Sequence, residues 1–219
     1  MSSVPPPPNV PPPSGAGPLD VGSAVGYGWK KFTEYPGPLI LIVLIIAVVN
    51  LIGFGLRFAT DSFFVGLVLV ILFYIVGQIL TIGIINASLM VTRGETPDLG
   101  KAFSTDHLGP FIVGSILYGI IVGIGLILCI IPGIIAAIML AFYGFYILDK
   151  GMIATDAISA SFNMVKDNFG RVFLVLLVAF LINAVGALIC GIGLLVTAPI
   201  CWIIVAYTYR KVNNQPIAP

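Results

Sequence analysis

Apolar and polar residues fall in long blocks along this chain, not in residue-by-residue alternation. Six blocks are nearly free of charge: residues 38–56, 63–92, 109–129, 132–148, 171–190 and 192–209. Crossing about 30 Å of hydrocarbon takes about 20 apolar residues in a helix. A helix also satisfies its backbone polar groups within its own segment, as a lipid environment requires. The pattern therefore predicts an all-α, polytopic membrane protein with six transmembrane helices. The second block is longer than one crossing needs, so it is expected to tilt or project. The fourth and sixth are shorter and follow tight turns at Pro132–Gly133 and Cys190–Gly191. Joining the third and fourth blocks would give an element too long for one crossing, so they are read as two.

The stretches before alternate blocks share a plan. At an offset of 61 residues, Asp106 falls on Asp167, Gly109 on Gly170, Gly125 on Gly186, Cys129 on Cys190 and Tyr146 on Tyr207. At an offset of 72, Glu34 falls on Asp106, Gly37 on Gly109 and Gly53 on Gly125. Asn50 and Asn183 also share this register, with Val122 in the middle copy. Each copy opens with a short polar or amphipathic stretch (20–34, 98–106, 155–167). The prediction is three helical hairpins, each entered through an interfacial helix on the same side, as parallel repeats. In the first such stretch, Val21, Val25, Trp29 and Phe32 recur at roughly helical spacing beside Lys30 and Lys31, which suits a helix lying at headgroup depth.

Composition agrees with a lipid solvent. Of 219 residues, 59 % are hydrophobic and 9 % charged, and the mean hydropathy is +1.13. Soluble domains carry about 25 % charge. A net charge of +1 gives no field to attract nucleic acid. Charge placement sets the orientation. Lys30, Lys31, Arg93, Lys101, Lys150, Lys166, Arg171, Arg210 and Lys211 fall on the side of both termini. Arg57, near Asp61, falls on the other, which predicts cytoplasmic termini. Trp29, Phe32, Tyr35, Tyr143, Tyr146, Tyr207 and Tyr209 are expected to form an aromatic belt on the cytoplasmic rim. Trp29, Lys30, Lys31, Arg210 and Lys211 are the candidate lipid-headgroup contacts, with anchoring as their expected role.

The chain divides into residues 1–19, a proline-rich cytoplasmic tail expected to be disordered; 20–211, the six-helix transmembrane domain; and 212–219, a short C-terminal tail. The N-terminal tail holds half of the 16 prolines, and no charged and apolar run of a signal peptide precedes the first span. Its PxxP spacings lack a flanking basic residue, so a solvated spacer is the expected role. Candidate chemistry is sparse. Within the block limits above the one charged side chain is Arg171, at an edge, so no Asp, Glu, Lys, Arg or His lies at hydrocarbon depth, which argues against a proton-coupled transporter. Asn50, Gln78, Thr81, Asn86 and Asn183 are the candidate cavity-lining or interhelical polar residues, because amides in lipid must pair or face a wet space. Ser88, Ser115 and Thr197 belong to the same buried polar set. Ser115, Gly119 and Gly123 form one small-residue stripe, and Gly133, Ala137 and Ala141 another. His107 stands alone and the three cysteines lack metal spacing; whether Cys129 and Cys190 pair is open. No catalytic set, metal site or cofactor fingerprint is predicted.

Several stretches carry a family resemblance: Gly26-Tyr27-Gly28-Trp29-Lys30-Lys31, Ile131-Pro132-Gly133-Ile134, Asp149 with Gly151, Asn168-Phe169-Gly170, Gly191 to Pro199, and Tyr207 to Arg210. Over residues 20–211 the chain resembles a broad set of uncharacterised bacterial integral membrane proteins, whose actinobacterial members often carry a proline-rich N-terminus. It is also similar to the membrane domain attached to some bacterial glycerophosphodiester phosphodiesterases. The resemblance implies a six-helix fold in a bacterial inner membrane. It carries no hydrolysis, because the phosphodiesterase catalytic domain has no counterpart in these residues. The expectation is a non-catalytic scaffold or accessory subunit, in the lipid bilayer with a membrane-protein partner or a second copy. The alternative is a facilitator or binder of a lipid or small apolar solute.

Overall fold

The computed structural model describes residues 19–58, 62–189 and 191–219, with the backbone alone at 57 and 58. The proline-rich stretch up to residue 18, Asp61 and Cys190 lie outside these residues, and with them the expectations for the tail and for a Cys129–Cys190 pair. The described residues form helices and no strand. In chain order the helices are α1 (Val21–Glu34), α2 (Pro36–Phe58), α3 (Phe63–Arg93), α4 (Leu99–Ala102), α5 (Leu108–Leu128), α6 (Ile130–Met139), α7 (Tyr143–Lys150), α8 (Ala154–Asp167), α9 (Phe169–Leu188) and α10 (Leu194–Val212).

Local chemistry sets several boundaries. Asp20 caps α1 by accepting the Ser23 N–H at 2.8 Å, and Pro36 begins α2 where a missing N–H costs nothing. Gly94 and Gly151 end α3 and α7 in the left-handed region, at φ 81° and 63°. Their N–H groups cap the last carbonyls of those helices.

Five stretches are long and apolar enough to cross a membrane: Pro36–Leu56, Phe63–Arg93, Leu108–Leu128, Ile130–Lys150 and Phe169–Leu188. The sixth expected span lies in α10, whose apolar run is diluted by Pro199, Tyr207, Tyr209, Arg210 and Lys211. This helix is instead buried at Pro199, Ile200, Ile203 and Ile204 and continuously from Ala206 to Arg210. It packs against α1, α2, α3 and α9.

The fourth expected span is two helices and not one. The chain leaves helical geometry between Met139 and Tyr143, and α8 repairs the gap. Ser161 of α8 is fully buried; its hydroxyl donates to the Met139 carbonyl at 2.9 Å and accepts the Phe142 N–H at 3.1 Å. Interrupted backbone at such depth is tolerated where protein groups satisfy it. The α8 helix buries Ala154, Ala157, Ser161, Met164 and Val165, one amphipathic face. The second short polar stretch, 98–106, yields only the single turn of α4.

Consecutive long helices pack against each other: α2 on α3, α5 on α6, α9 on α10. At each contact a glycine stands where a Cβ would strike the returning helix. Gly53 faces the Phe73 ring, Gly125 faces the Gly133 backbone, and Gly186 faces Thr197.

The core sits at one end of the molecule. The half of α3 from Leu80 to Thr92 is mostly buried. Phe63 and Phe64, near its start, are each 77 % exposed. The turns at the far end are open too, with Ile127 86 % and Leu188 84 % exposed. Leu19, at the edge of the proline-rich stretch, already packs on the core. So does the C-terminal tail: Ile217 is buried, and the Ala218 N–H reaches the Thr92 carbonyl at 3.0 Å.

Candidate functional site

Three of the five candidate cavity residues come together. Asn50 from α2, with Gln78 and Thr81 from α3, lines a cavity of about 330 Å³ closed in part by Trp202 of α10. Phe73 and Gly77 border it and also an apolar cleft of about 350 Å³ between α2 and α3. Asn50 donates to the Ile46 carbonyl at 2.8 Å, and Thr81 to the Gly77 carbonyl at 2.8 Å. Each thus satisfies a donor on its own helix. Gln78 has no hydrogen-bond partner among the described residues. Its neighbour Tyr74 shares a 2.8 Å hydrogen bond with Ser115 of α5.

The other two lie elsewhere. Asn183 accepts the Thr197 hydroxyl at 3.1 Å, a bridge between α9 and α10. It borders a separate hollow of about 250 Å³ with Cys201, which Trp202 also lines. Asn86 donates to the Ala102 carbonyl at 3.0 Å, fastening α4 to α3. It opens onto a polar crevice at the basic end of α3.

The rim departs from the expected aromatic belt. Trp29 is 57 % exposed, but Phe32, Tyr146, Tyr207 and Tyr209 are core residues. The reason is that α1, α8 and the C-terminal tail fold over the rim and replace lipid as its neighbours. Two of the candidate headgroup cations are likewise interior. Lys31 is 3 % exposed and holds Glu34 at 2.8 Å, keeping the Glu34 carboxyl below the usual carboxylate range. Arg210 is buried, and its Nε donates to the Pro216 carbonyl at 2.9 Å. Lys30 and Trp29 face outward and Lys211 is half-buried. The buried face of α1 is Ala24, Gly28, Lys31 and Phe32, which shares only Phe32 with the predicted stripe, and Gly28 packs against Ile200 and Ile204 of α10.

Sequence reasoning missed a highly connected polar residue. Asp149, near the end of α7, accepts from Arg93 of α3, from the Tyr209 hydroxyl of α10 at 3.0 Å and from the Gln215 amide at 3.0 Å. One carboxylate therefore ties three helix ends and the C-terminal tail. Around it Tyr209 stacks on Phe145, and Tyr146 donates to Asn213 at 2.9 Å. The Asp149–Gly151 pair was visible in the sequence, but only as part of a family resemblance. This arrangement is a structural clasp: the carboxylate takes three donors and its side chain is 9 % exposed. Among the described residues no three His, Cys, Asp or Glu side chains gather as a metal site.

Comparison with known proteins adds relatives without a described activity. The chain is 27 % identical to the uncharacterised protein Rv2560 of Mycobacterium tuberculosis, across 97 % of this chain and 74 % of that protein. The same figures hold for the uncharacterised protein Mb2590 of Mycobacterium bovis. No protein-family model matches the chain, and no solved structure matches it.

Proposed function

We propose that the chain is a non-catalytic integral membrane protein that serves as a scaffold or accessory subunit, gripping a partner's transmembrane helices or those of a second copy. In this reading α10 supplies a sixth crossing, the helices form three hairpins, and both termini are cytoplasmic in a bacterial inner membrane. The glycine contacts at Gly53, Gly125 and Gly186 support the repeat, because each marks the same point of a hairpin. Arg93, Asp149 and Arg210 meeting at one end supports a single polar side. The resemblance to the membrane domain of certain phosphodiesterases fits a membrane module of this kind.

The observation that carries the proposal is an open helix face. Gly119 and Gly123 of α5 have nothing within reach of a Cβ, and Ser115 one turn earlier bonds to α3. Small residues at this spacing let another helix approach closely. The second stripe is not equivalent, because Gly133 already packs against Leu126 of α5. A photo-crosslinking amino acid at Ile120, beside the stripe, tests this in native membranes. The expected result is one discrete protein adduct, lost when Gly123 is changed to Leu. Adducts to lipid only, or a purified chain that alone moves a solute in liposomes, would sink the reading.

Gln78 favours one second reading, the binder of a lipid or apolar solute. An unpaired amide beside a cavity of about 330 Å³ is what such a ligand's polar end would answer. Gln78→Leu should leave an accessory subunit intact and abolish uptake by a facilitator.

A further inference from the structure

The polar crevice at the basic end of α3 plays no part in the accessory reading. Arg93 and Glu95 come from the end of α3 and the turn after it, Lys101 from α4, and Ser104, Asp106 and His107 from the loop into α5. They line about 220 Å³. Both signs of charge face this space, and most of it is unanswered. Arg93 is paired with Asp149 and keeps 37 % of its side chain exposed. The side chains of Lys101 and Glu95 have no hydrogen-bond or ion-pair partner among the described residues. Asp106 takes a single side-chain bond, from the Ser104 hydroxyl at 2.6 Å.

The crevice also stands at a particular depth. Arg93 is the last residue of α3, His107 precedes α5, and Leu148 of its lining is near the end of α7. It opens where the apolar helices stop, the level of a phospholipid headgroup.

We propose that this crevice binds an amine-bearing phosphodiester of the ethanolamine type. The phosphate oxygens accept from Arg93 and Lys101, and the primary ammonium donates to Glu95 and Asp106. The lining excludes the neighbouring classes. No Trp, Tyr or Phe is among its side chains, so a quaternary ammonium finds none of the ring faces that hold it best and brings no N–H to the carboxylates. A glycerol headgroup carries no cation and leaves both carboxylates unanswered. The same headgroup chemistry is offered by a membrane lipid and by free glycerophosphoethanolamine.

Native mass spectrometry of the full chain in detergent, stripped of lipid and offered equal amounts of dioleoyl phosphatidylethanolamine, phosphatidylcholine and phosphatidylglycerol, tests the proposal. The expected result is retention of phosphatidylethanolamine about tenfold above the other two. Lys101→Gln and Glu95→Gln should each remove most of that preference. Lys166→Gln, an exposed lysine on α8, should leave it unchanged. All three positions are exposed, and gel filtration checks that each variant folds. Displacement of the lipid by soluble glycerophosphoethanolamine identifies the free compound as a ligand, and its failure to displace identifies the lipid. Equal retention of the three lipids, or a preference untouched by both crevice substitutions, overturns the proposal.

Discussion

Ser161 and Asp149 show how much of this fold rests on single polar side chains. Ser161 answers one donor and one acceptor at the break between α6 and α7, in a buried setting where water cannot replace it. Ser161→Ala is therefore expected to cost about 1–3 kcal/mol, the range for leaving buried backbone groups unsatisfied. Chemical unfolding in micelles would measure it, and a loss below a few tenths would show that the break needs no side chain. Asp149→Ala removes three acceptor contacts at once, whereas Tyr209→Phe removes one. The expected order is a larger loss for Asp149→Ala and about 0.5–1.5 kcal/mol for Tyr209→Phe. Neither residue's role was legible in the sequence. Leu140, Ala141 and Phe142 read as continuous helix, since the break depends on a serine 19 residues away from Phe142. The partners of Asp149 lie 56, 60 and 66 residues off in the chain. Burial among protein groups also cannot be told from burial in lipid by composition, which is why the rim tyrosines read as a belt.

Elements were far more legible than their partners. The apolar blocks located the long helices because hydropathy over about 20 residues is a strong signal. The glycine register was legible for a steric reason: close helix approach admits no Cβ, so the contact leaves its mark on the sequence. That reason separates the register glycines into two kinds. A Cβ on Gly125 would lie 2.9 Å from the Gly133 Cα, but Gly109 and Gly170 have open space. Gly125→Ala is expected to destabilise by about 1–3 kcal/mol. Gly109→Ala and Gly170→Ala should be neutral or gain up to about 1 kcal/mol from helix propensity. Similar losses at all three sites would mean that the register reflects something other than packing. For α1 the relevant variable is pH. The Ser23 N–H holds the Asp20 carboxyl below its ordinary range, and the Lys31 ammonium does the same for Glu34. A carboxyl lowered in the folded state contributes its stability above its unfolded pKa and loses it as pH falls through the folded value. Acidification below about pH 4 should thus loosen α1 before α9. Hydrogen exchange, corrected for intrinsic rate, would show it, and simultaneous loss in both helices would refute it.

At the scale of the whole molecule, the protein is tight at one end and open at the other. The clasp around Asp149, the lid formed by α1 and α8, and the docked C-terminal tail all lie at the basic end. The ends of α2, α3, α5 and α6 beyond Phe73 and Ile121 present most of their side chains outward. Such a body has a packed polar end and exposed apolar ends. The tail is the element that tests this division. Gln215 reaches Asp149, the Pro216 carbonyl takes Arg210, Ile217 enters the core, and Ala218 bonds to Thr92. Its removal takes away the carbonyl that accepts from the buried Arg210 guanidinium, and a hydrogen bond to a charged group is worth about 1.5–3 kcal/mol. Deleting residues 214–219 is therefore expected to raise exchange at the ends of α3 and α10 by about tenfold or more, equivalent to about 1.4 kcal/mol. The tips of α2 and α3 should exchange as before, since the hydrogen bonds of the tail fall on Asp149, Arg210 and Thr92. Uniform acceleration through α3 would mean that the two ends are one cooperative unit. Unchanged exchange at Arg93 would mean that the clasp holds without its cover.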